Sequence, residues 1–157
     1  MKTAIILCCL LLAACSDVVF KNEIKADFKP YVKEFDTLYS GSMPNIVIKF
    51  GSVPAGKAAT CTIDFIGQKT IKVDREVWDK SCEDTKRALI FHELGHCVLR
   101  REHTTSEMSY MFQSLRSCEF YAENEEILDY ELFHPGDITI EKMRPYYTPN
   151  PDQILID

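Results

Sequence analysis

Hydrophobic residues in the first half of the chain follow two different periods. Between residues 22 and 39 they recur every three or four positions, which predicts an amphipathic helix. Pro30 lies inside this pattern and indicates that the regular part of the helix begins near it. Residues 45–50 are short and β-rich and predict a buried strand. Residues 61–66 and 70–74 are also β-rich and are joined by a glycine-containing connection, so they predict a hairpin.

Two longer patterns follow the hairpin and predict two helices. The first is apolar on nearly all sides, which is typical of a buried helix, and it extends from an N-cap at Ser81 to residue 99 or 100. Arg100 and Arg101 are then expected in its last turn, where positive charge suits the helix dipole. The second helix covers residues 117–133, and its acidic residues are expected to form a solvated face. These residues are Glu119, Glu123, Glu125, Glu126, Asp129 and Glu131.

One folded domain over residues 22–157 accounts for the chain beyond its N-terminus. A length of 157 residues with 46% apolar content is enough for a hydrophobic core, and the sequence shows neither an internal repeat nor a second-domain boundary. The tail from about residue 134 contains four of the seven prolines and is expected to have little regular structure.

The N-terminus has the pattern of an export signal. Lys2 precedes an uncharged apolar run that is too short to span a bilayer. The run ends in L-A-A-C at residues 12–15, which resembles a bacterial lipobox. The resemblance implies a signal peptide at residues 1–14, lipidation of Cys15, a tether at residues 15–21 and anchoring of the exported protein to the cell envelope by several acyl chains. The alternative is an ordinary secretory signal with a chance cysteine.

The charge of the mature chain limits its partners. Removal of residues 1–14 takes away one lysine and no acidic residue, so 17 basic residues (18 − 1) stand against 24 acidic ones and the net charge is −7. Binding to nucleic acid and electrostatic binding to anionic lipid are therefore not expected. Nothing in the sequence indicates the oligomeric state.

Four of the seven cysteines remain beyond the lipidation site: Cys61, Cys82, Cys97 and Cys118. An even number in an exported domain predicts two disulfides. Cys82 and Cys97 would lie at opposite ends of the first long helix, about 22 Å apart, which is too far for a bond. The pairing is then Cys61–Cys97 with Cys82–Cys118, which we favour, or Cys61–Cys82 with Cys97–Cys118.

The buried helix contains the motif H-E-x-x-H at His92, Glu93 and His96. At about 100° per residue the two histidines share one face of the helix, and Glu93 reaches the same space. Buried imidazoles and carboxylates need partners. A zinc ion bound by the two histidines, with Glu93 beside it as general base, would supply both partners and a chemistry. A chance match on an ordinary core helix is the alternative.

A third histidine lies close to the motif. The chain has only four histidines, and three of them, His92, His96 and His103, fall within twelve residues. A catalytic zinc usually has three protein ligands and one open position. A turn after the helix would fold His103 back over the metal, which makes it the candidate third ligand.

These residues resemble the metzincin metalloproteases, whose motif H-E-x-x-H-x-x-G-x-x-H is followed by a methionine turn. Here H-E-L-G-H stands at residues 92–96, and S-Y-M ending at Met111 resembles the methionine turn, with Met108 as a competitor. The resemblance, closest to the matrixins, covers roughly residues 45–133. It implies an α+β domain of zincin type in which a small twisted mixed sheet packs on the active-site helix and a C-terminal helix follows.

The chain departs from the family motif in the turn after the helix. Leu99 occupies the position of the family glycine and Glu102 that of the third histidine, with His103 one residue later. The longer turn would remove the demand for a glycine conformation at position 99. Glu102 is an alternative third ligand, as is Glu119 on the following helix, which resembles the downstream glutamate of the gluzincin peptidases.

The resemblance implies a lipid-anchored zinc endopeptidase that acts on proteins or peptides. One zinc ion would activate water, and Glu93 would take the proton and deliver it to the leaving amine. The strand at residues 61–66 would bind an extended substrate by strand addition. Tyr110 would be an oxyanion donor or, more plainly, a packed aromatic residue. The alternatives are a non-catalytic zinc-binding envelope lipoprotein with a zincin fold and metal-dependent hydrolysis of a non-peptide bond.

Overall fold

The structure is a computed structural model that describes residues 19–136. The predicted signal peptide at residues 1–14, the lipidation site Cys15 and the tail after residue 136 lie outside the described residues. Between residues 19 and 136, no helix has both the length and the apolar character that a membrane crossing requires. In chain order the elements are β1 (Glu23–Ile24), a 3-10 turn (Ala26–Phe28), α1 (Lys29–Leu38), β2 (Ile46–Phe50), β3 (Ala59–Ile63), β4 (Lys69–Val73), α2 (Arg75–Lys80), α3 (Glu83–Cys97) and α4 (Cys118–Phe133).

The four strands form one mixed sheet in the order β1-β2-β4-β3. Strands β1 and β4 lie parallel to β2, while β3 pairs antiparallel with β4 as the predicted hairpin. Strand β3 ends at Ile63 rather than at residue 66, because the Asp64 carboxylate accepts hydrogen bonds from the amides of Ile66 and Gln68 and closes the turn. The domain is therefore α+β with a small mixed sheet, as predicted, and β3 leaves one edge of the sheet open.

The predicted helix over residues 22–39 is wrong in its first part. Residues Glu23–Ile24 form β1, and α1 begins only at Lys29. Pro30 stands in the first turn of α1, where its missing N–H removes no helical hydrogen bond. Ile24 instead pairs with Ile48 of β2. This contact is distant in sequence, and the local spacing of apolar residues does not reveal it.

Helix α3 lies at the centre of the domain. It contacts α1, α4 and the hairpin strands β3 and β4. Its side chains are buried on nearly all sides, which confirms the prediction from the sequence. Phe91 of α3 packs edge-on against Phe35 of α1 with ring centroids 5.4 Å apart. The helix that carries H-E-x-x-H is thus held by packing along most of its length.

The ends of α3 differ from the prediction. The N-cap is Cys82 rather than Ser81, and the helix ends at Cys97 rather than at residue 99 or 100. Arg100 has a φ of 59°, which is incompatible with a continuing helix. Arg101 therefore does not lie in the last turn of α3. Its guanidinium group donates to the carbonyl oxygens of Glu131 and Leu132, so its charge serves the C-terminal end of α4.

Helix α4 begins and ends as predicted, but its acidic residues do not form one solvated face. The Ser117 hydroxyl accepts a hydrogen bond from the Phe120 amide and caps the helix. Glu131 is only 7% exposed, since it binds Arg101. Asp129 is half-buried and accepts two hydrogen bonds from Arg87, at 2.8 and 2.9 Å. The prediction of a solvated face is wrong for these two residues because each pairs with an arginine whose side chain is itself largely buried.

Two disulfides join the elements around α3, in the pairing that we favoured. Cys61 of β3 bonds to Cys97 at the end of α3, with the Cα atoms 5.7 Å apart. Cys82 and Cys118 connect the starts of α3 and α4, with the Cα atoms 6.4 Å apart. The first bond attaches the open-edge strand directly to the helix of the motif.

Candidate metal centre

Three histidine side chains converge on one point beside α3. Nε2 of His96 lies 3.1 Å from Nε2 of His92 and 3.2 Å from Nε2 of His103, and the remaining pair is also 3.2 Å apart. His92 and His96 stand one turn apart on the helix. His103 is brought back over them by the turn that follows α3. The structure therefore places together the three histidines that the sequence singled out.

Backbone carbonyl groups orient two of the rings. Nδ1 of His92 lies 2.6 Å from the carbonyl oxygen of Tyr110, and Nδ1 of His96 lies 2.6 Å from that of Arg101. A carbonyl oxygen is only an acceptor, so both Nδ1 atoms carry the proton. Burial lowers the pKa of His92 to about 4, and burial likewise lowers the pKa of His103. In neutral rings of this tautomer, the converging Nε2 atoms of His92 and His96 are both lone-pair acceptors with no proton between them.

The spacing of the three nitrogens fits a tetrahedral zinc ion. Nitrogens bound to such an ion at about 2.0–2.1 Å lie about 3.3 Å from one another, close to the observed separations. A cation at this point would satisfy lone pairs that otherwise face one another. The carbonyl partners of the Nδ1 atoms are the kind of outer interaction that metal-binding histidines make. The donor set therefore fits a tetrahedral zinc ion, of which these three histidines would fill three positions.

Glu93 is a buried carboxylate with an unsatisfied oxygen. The side chain is 4% exposed, and it accepts a hydrogen bond from the backbone N–H of Cys61. Its Oε2 atom has no hydrogen-bond partner. Burial is the largest influence on this group and raises the pKa of Glu93 to about 7. A buried carboxylate oxygen without a donor is costly in free energy, and such a group is typical of a site whose partner is a ligand or a water molecule.

The methionine predicted for the turn lies beneath the histidine helix. Met111 is completely buried, and its amide donates to the Ser109 hydroxyl at 3.0 Å. A Cβ atom added to Gly95 would overlap the Met111 sulfur and would also press on Leu132 at 3.3 Å. Gly95, the fourth residue of H-E-L-G-H, is therefore the residue that lets the methionine turn approach α3. Met108 is only half-buried and does not take this place.

The turn between the second and third histidines still requires a left-handed residue. Arg100, with φ of 59°, is the only non-glycine residue with positive φ between residues 19 and 136. It precedes His103 by three residues, the same interval that separates the glycine from the last histidine in the metzincin motif. As expected, the extra residue frees Leu99 from a left-handed backbone conformation. Arg100 adopts that conformation instead, so the turn still contains one left-handed residue.

A largely buried ion pair, which no sequence pattern indicated, supports this turn. The Arg101 amide donates to the Gly95 carbonyl at 3.0 Å, and its guanidinium group pairs with the Glu131 carboxylate. The Ser109 hydroxyl donates to the same carboxylate. Arg101 and Glu131 thereby connect the turn between His96 and His103, the methionine turn that ends at Met111, and α4. The sequence signal for Glu131, one acid among many on an amphipathic helix, does not distinguish it from its solvated neighbours.

The remaining candidates lie away from the three nitrogens. Glu102 is exposed and is not part of the histidine group. Glu119 is exposed in the first turn of α4, where the cap residue Ser117 interacts with its carboxylate. The Tyr110 hydroxyl is buried against Arg87, and burial raises the pKa of Tyr110. Tyr110 is thus a packed aromatic residue that acts on the site through its carbonyl oxygen and not through its hydroxyl.

A cleft of about 1420 Å³ runs past the site, between the open edge of β3 and the segment after the methionine turn. Ala58 and Asp64 direct their backbone hydrogen bonds toward the β4 side. Because alternate residues of a strand direct their N–H and C=O groups to opposite edges, Ala59, Cys61 and Ile63 face the cleft. The lining combines this edge with His92, Glu93, His96 and His103.

Comparisons of the chain with protein-family models, with curated proteins and with solved structures each gave no match, so the resemblance to metzincins rests on the motif residues themselves.

Proposed function

We propose that this protein is a zinc-dependent endopeptidase whose metal ligands are His92, His96 and His103. The observation that carries the proposal is the convergence of three Nε2 atoms at 3.1–3.2 Å while backbone carbonyls hold the protons of two rings on Nδ1. A proton on Nε2 of His103 could be donated to one of the other two nitrogens, but His92 and His96 would still face each other without a donor, whereas a shared cation satisfies all three lone pairs. Zinc suits the all-imidazole donor set and the four-coordinate spacing.

Bound zinc would supply Lewis acidity and would lower the pKa of water toward about 7. The chain's own contribution to hydrolysis begins with Glu93. Its free Oε2 accepts the proton of the attacking water and then donates it to the leaving amine, as general base and general acid in turn. The amide of Cys61 holds the carboxylate in place. Burial raises the pKa of Glu93 in the metal-free site to about 7, and a carboxyl group with such a pKa can both take up and release a proton near neutral pH.

The open edge of β3 supports a peptide as the substrate. Ala59 and Ile63 offer their N–H and C=O groups along the cleft, and Cys61 offers its C=O group, since its N–H binds Glu93. An extended chain can pair with such an edge as an added strand. Pairing there would carry a peptide bond past Glu93 and the three histidines, which line the same cleft. An endopeptidase is favoured because the cleft follows the whole length of β3, so that a substrate strand can extend on both sides of the site.

The free carboxylate oxygen is also what favours an enzyme over a non-catalytic zinc lipoprotein. A structural zinc site is closed by a fourth protein ligand and has no use for a buried base beside it. The alternative of Glu119 as third ligand has no support, since its side chain is exposed at the start of α4 and does not belong to the histidine group.

Anchoring by lipid at Cys15 and a location in the bacterial cell envelope complete the proposal. They are supported by the L-A-A-C sequence after an apolar run. The two disulfides are consistent with them, because such bonds persist in oxidising compartments outside the cytoplasm.

The test compares Glu93→Gln with Glu102→Gln in the purified mature chain. We expect the first variant to retain zinc and lose cleavage of an unfolded protein substrate by at least about a hundredfold, as for loss of a general base. The second variant removes an exposed neighbouring carboxylate and should retain both properties. Unchanged cleavage in Glu93→Gln would show that the assigned base is wrong.

A further inference from the structure

Four exposed apolar side chains gather at one end of the sheet. Phe65 is 99% exposed and Ile66 is 43% exposed at the tip of the β3–β4 hairpin, and Val19 and Phe20 are 83% and 38% exposed just before β1. The Phe20 ring lies 3.8 Å from the position that a Cβ atom would take on Gly67, so the two segments adjoin. We refer to Val19, Phe20, Phe65 and Ile66 as the apolar tip.

Hydrogen bonds fasten the two parts of the apolar tip together. The Lys21 amide donates to the side-chain oxygen of Gln68 at 2.6 Å, and the Gln68 side-chain amide donates to the Lys21 carbonyl at 3.1 Å. The hairpin turn is closed by Asp64, whose carboxylate accepts the amides of Ile66 and Gln68. The exposed side chains of the hairpin are therefore presented by a hydrogen-bonded turn, and the acidic residue of that turn, Asp64, is engaged with backbone amides.

The position of the apolar tip in the chain indicates what covers it. Single exposed apolar residues are common, but a group of large ones on a soluble surface marks a binding site. Cys15 precedes Val19 by four residues. Since an extended chain spans at most about 3.6 Å per residue, Val19 lies within about 14 Å of any lipid carried by Cys15. The headgroup layer is only about 5–8 Å thick on each side of the hydrocarbon, so the apolar tip is within reach of it.

We propose that the apolar tip docks on the surface of the lipid bilayer next to the anchor, with Phe65 and Ile66 inserted at the boundary between headgroups and acyl chains. The contact is hydrophobic, so it is compatible with a net charge of −7 and requires no anionic lipid. It goes beyond the proposed peptidase activity and rests on the proposed lipidation of Cys15, which is what brings the apolar tip to a membrane. The cleft extends along β3 as far as Ile63, at the end of the strand next to the hairpin turn. Docking of the apolar tip would therefore hold the proposed substrate-binding edge close to the membrane.

The first experiment places a fluorophore at the tip. The lipidated mature protein carrying Phe65→Trp is reconstituted into phosphatidylcholine vesicles with brominated acyl chains. The natural Trp78 is 5% exposed in the core, so the wild-type protein gives the emission of a tryptophan that lipid does not reach. We expect the added emission to be blue-shifted by vesicles and quenched by the brominated lipid, while the Trp78 emission is unchanged. Added emission that is insensitive to both treatments would overturn the proposal.

The second experiment removes the anchor and leaves the tip. The mature chain with Cys15→Ser is floated with neutral phosphatidylcholine vesicles, alone and with Phe65→Ser/Ile66→Ser or Leu38→Ser. Leu38 is 44% exposed at the end of α1 and serves as the matched apolar control. We expect vesicle binding to fall about tenfold or more in the double variant, given the apolar area of two such side chains, and to be unchanged by Leu38→Ser.

Other occupants of the tip give different results. Equal vesicle binding by the three proteins would contradict docking on lipid. Docking on lipid would also be contradicted if the added emission of the Phe65→Trp variant were already blue-shifted without vesicles. The chain's own tail or a second copy of the chain would then cover the apolar tip. Zinc content and cleavage of a soluble substrate are measured on the same variants and should not change. Zinc content and cleavage test the peptidase proposal, and vesicle binding tests membrane docking, so the failure of one proposal is distinguishable from the failure of the other.

Discussion

The carbonyl oxygen of Arg101 lies 2.6 Å from Nδ1 of His96, while the guanidinium group of the same arginine is bound by Glu131 of α4. Arg101 thus orients a candidate metal ligand through its backbone and is itself held by a buried carboxylate. The Ser109 hydroxyl binds that carboxylate as well, two residues before Met111. The geometry of the three histidines therefore depends on a residue pair outside the H-E-x-x-H motif.

Glu131→Gln should weaken both the fold and the metal site. The exchange leaves the Arg101 guanidinium without a counter-charge where the two side chains are only 13% and 9% exposed. We expect a loss of about 3–5 kcal/mol in the free energy of unfolding without metal. Zinc affinity should fall by about 10- to 100-fold, the usual effect of losing a partner that orients a metal ligand. Urea unfolding and chelator competition measure the two quantities.

The control for this exchange is Glu126→Gln, on the exposed side of α4. It should change the free energy of unfolding by less than about 0.5 kcal/mol. Wild-type zinc affinity in Glu131→Gln would show that the ion pair does not position His96.

Gly95→Ala should destabilise the protein although alanine favours helices. In an ordinary helix this exchange would stabilise by about 1 kcal/mol. Here the new Cβ overlaps the Met111 sulfur, and overpacking of this kind costs about 1–3 kcal/mol. A double-mutant cycle with Met111→Ala, read by urea unfolding, should show a coupling in which the second exchange relieves the first. Strictly additive effects would mean that the close contact is not the reason for the glycine.

Arg100→Gly should stabilise the turn between His96 and His103. A left-handed backbone costs a non-glycine residue about 1–2 kcal/mol, and glycine avoids this cost. Glycine also loses more conformational entropy on folding, which cancels part of the gain. We expect a net gain of about 0.5–1 kcal/mol in the free energy of unfolding, measured in urea. Leu99→Gly is the matched control and should destabilise, because residue 99 is partly buried and has no positive φ. The opposite ranking of the two variants would place the left-handed position at residue 99.

The two disulfides offer a comparison between stability and activity. Both join residues 36 positions apart, so the chain-entropy contribution of each to stability is the same, about 3–4 kcal/mol. Only Cys61–Cys97 fixes the strand whose amide holds Glu93. Replacing both cysteines of either pair by alanine should therefore cost similar stability. At a temperature where both variants are folded, peptide cleavage should fall substantially more in Cys61→Ala/Cys97→Ala than in Cys82→Ala/Cys118→Ala. Equal losses of cleavage would remove the proposed role of the Cys61 amide.

Local sequence patterns predict the parts of this fold that are set by local physics. The buried helix α3, the capped helix α4 and the hairpin follow from periodicity, a serine cap and a glycine-containing turn. Helix length excludes one of the three disulfide pairings and leaves two open, and the observed pairing is the one of these two that we favour. The convergence of His92, His96 and His103 agrees with their clustering in a chain that has one other histidine.

The errors occur where distant contacts decide the outcome. Residues Glu23–Ile24 become a strand because β2 supplies a parallel partner. Glu131 is buried because an arginine thirty residues away reaches it, and Arg101 serves α4 rather than the helix that precedes it. Gly95 could have been recognised from the sequence, but it occupies an unspecified position of the H-E-x-x-H motif. A glycine in the middle of a buried helix is unfavourable by about 1 kcal/mol and calls for a close neighbour, which the structure supplies as Met111.

The zinc content of the purified mature chain decides whether His92, His96 and His103 form a metal site. We expect one tightly bound zinc ion per chain, lost on replacement of His103 by alanine and retained on replacement of the exposed His134, which lies at the end of α4. Such a result would assign the three converging nitrogens as the metal site. Wild-type protein that binds no zinc, or a His103→Ala variant that binds it as tightly as the wild type, would show that the three histidines are not the ligands of a zinc ion.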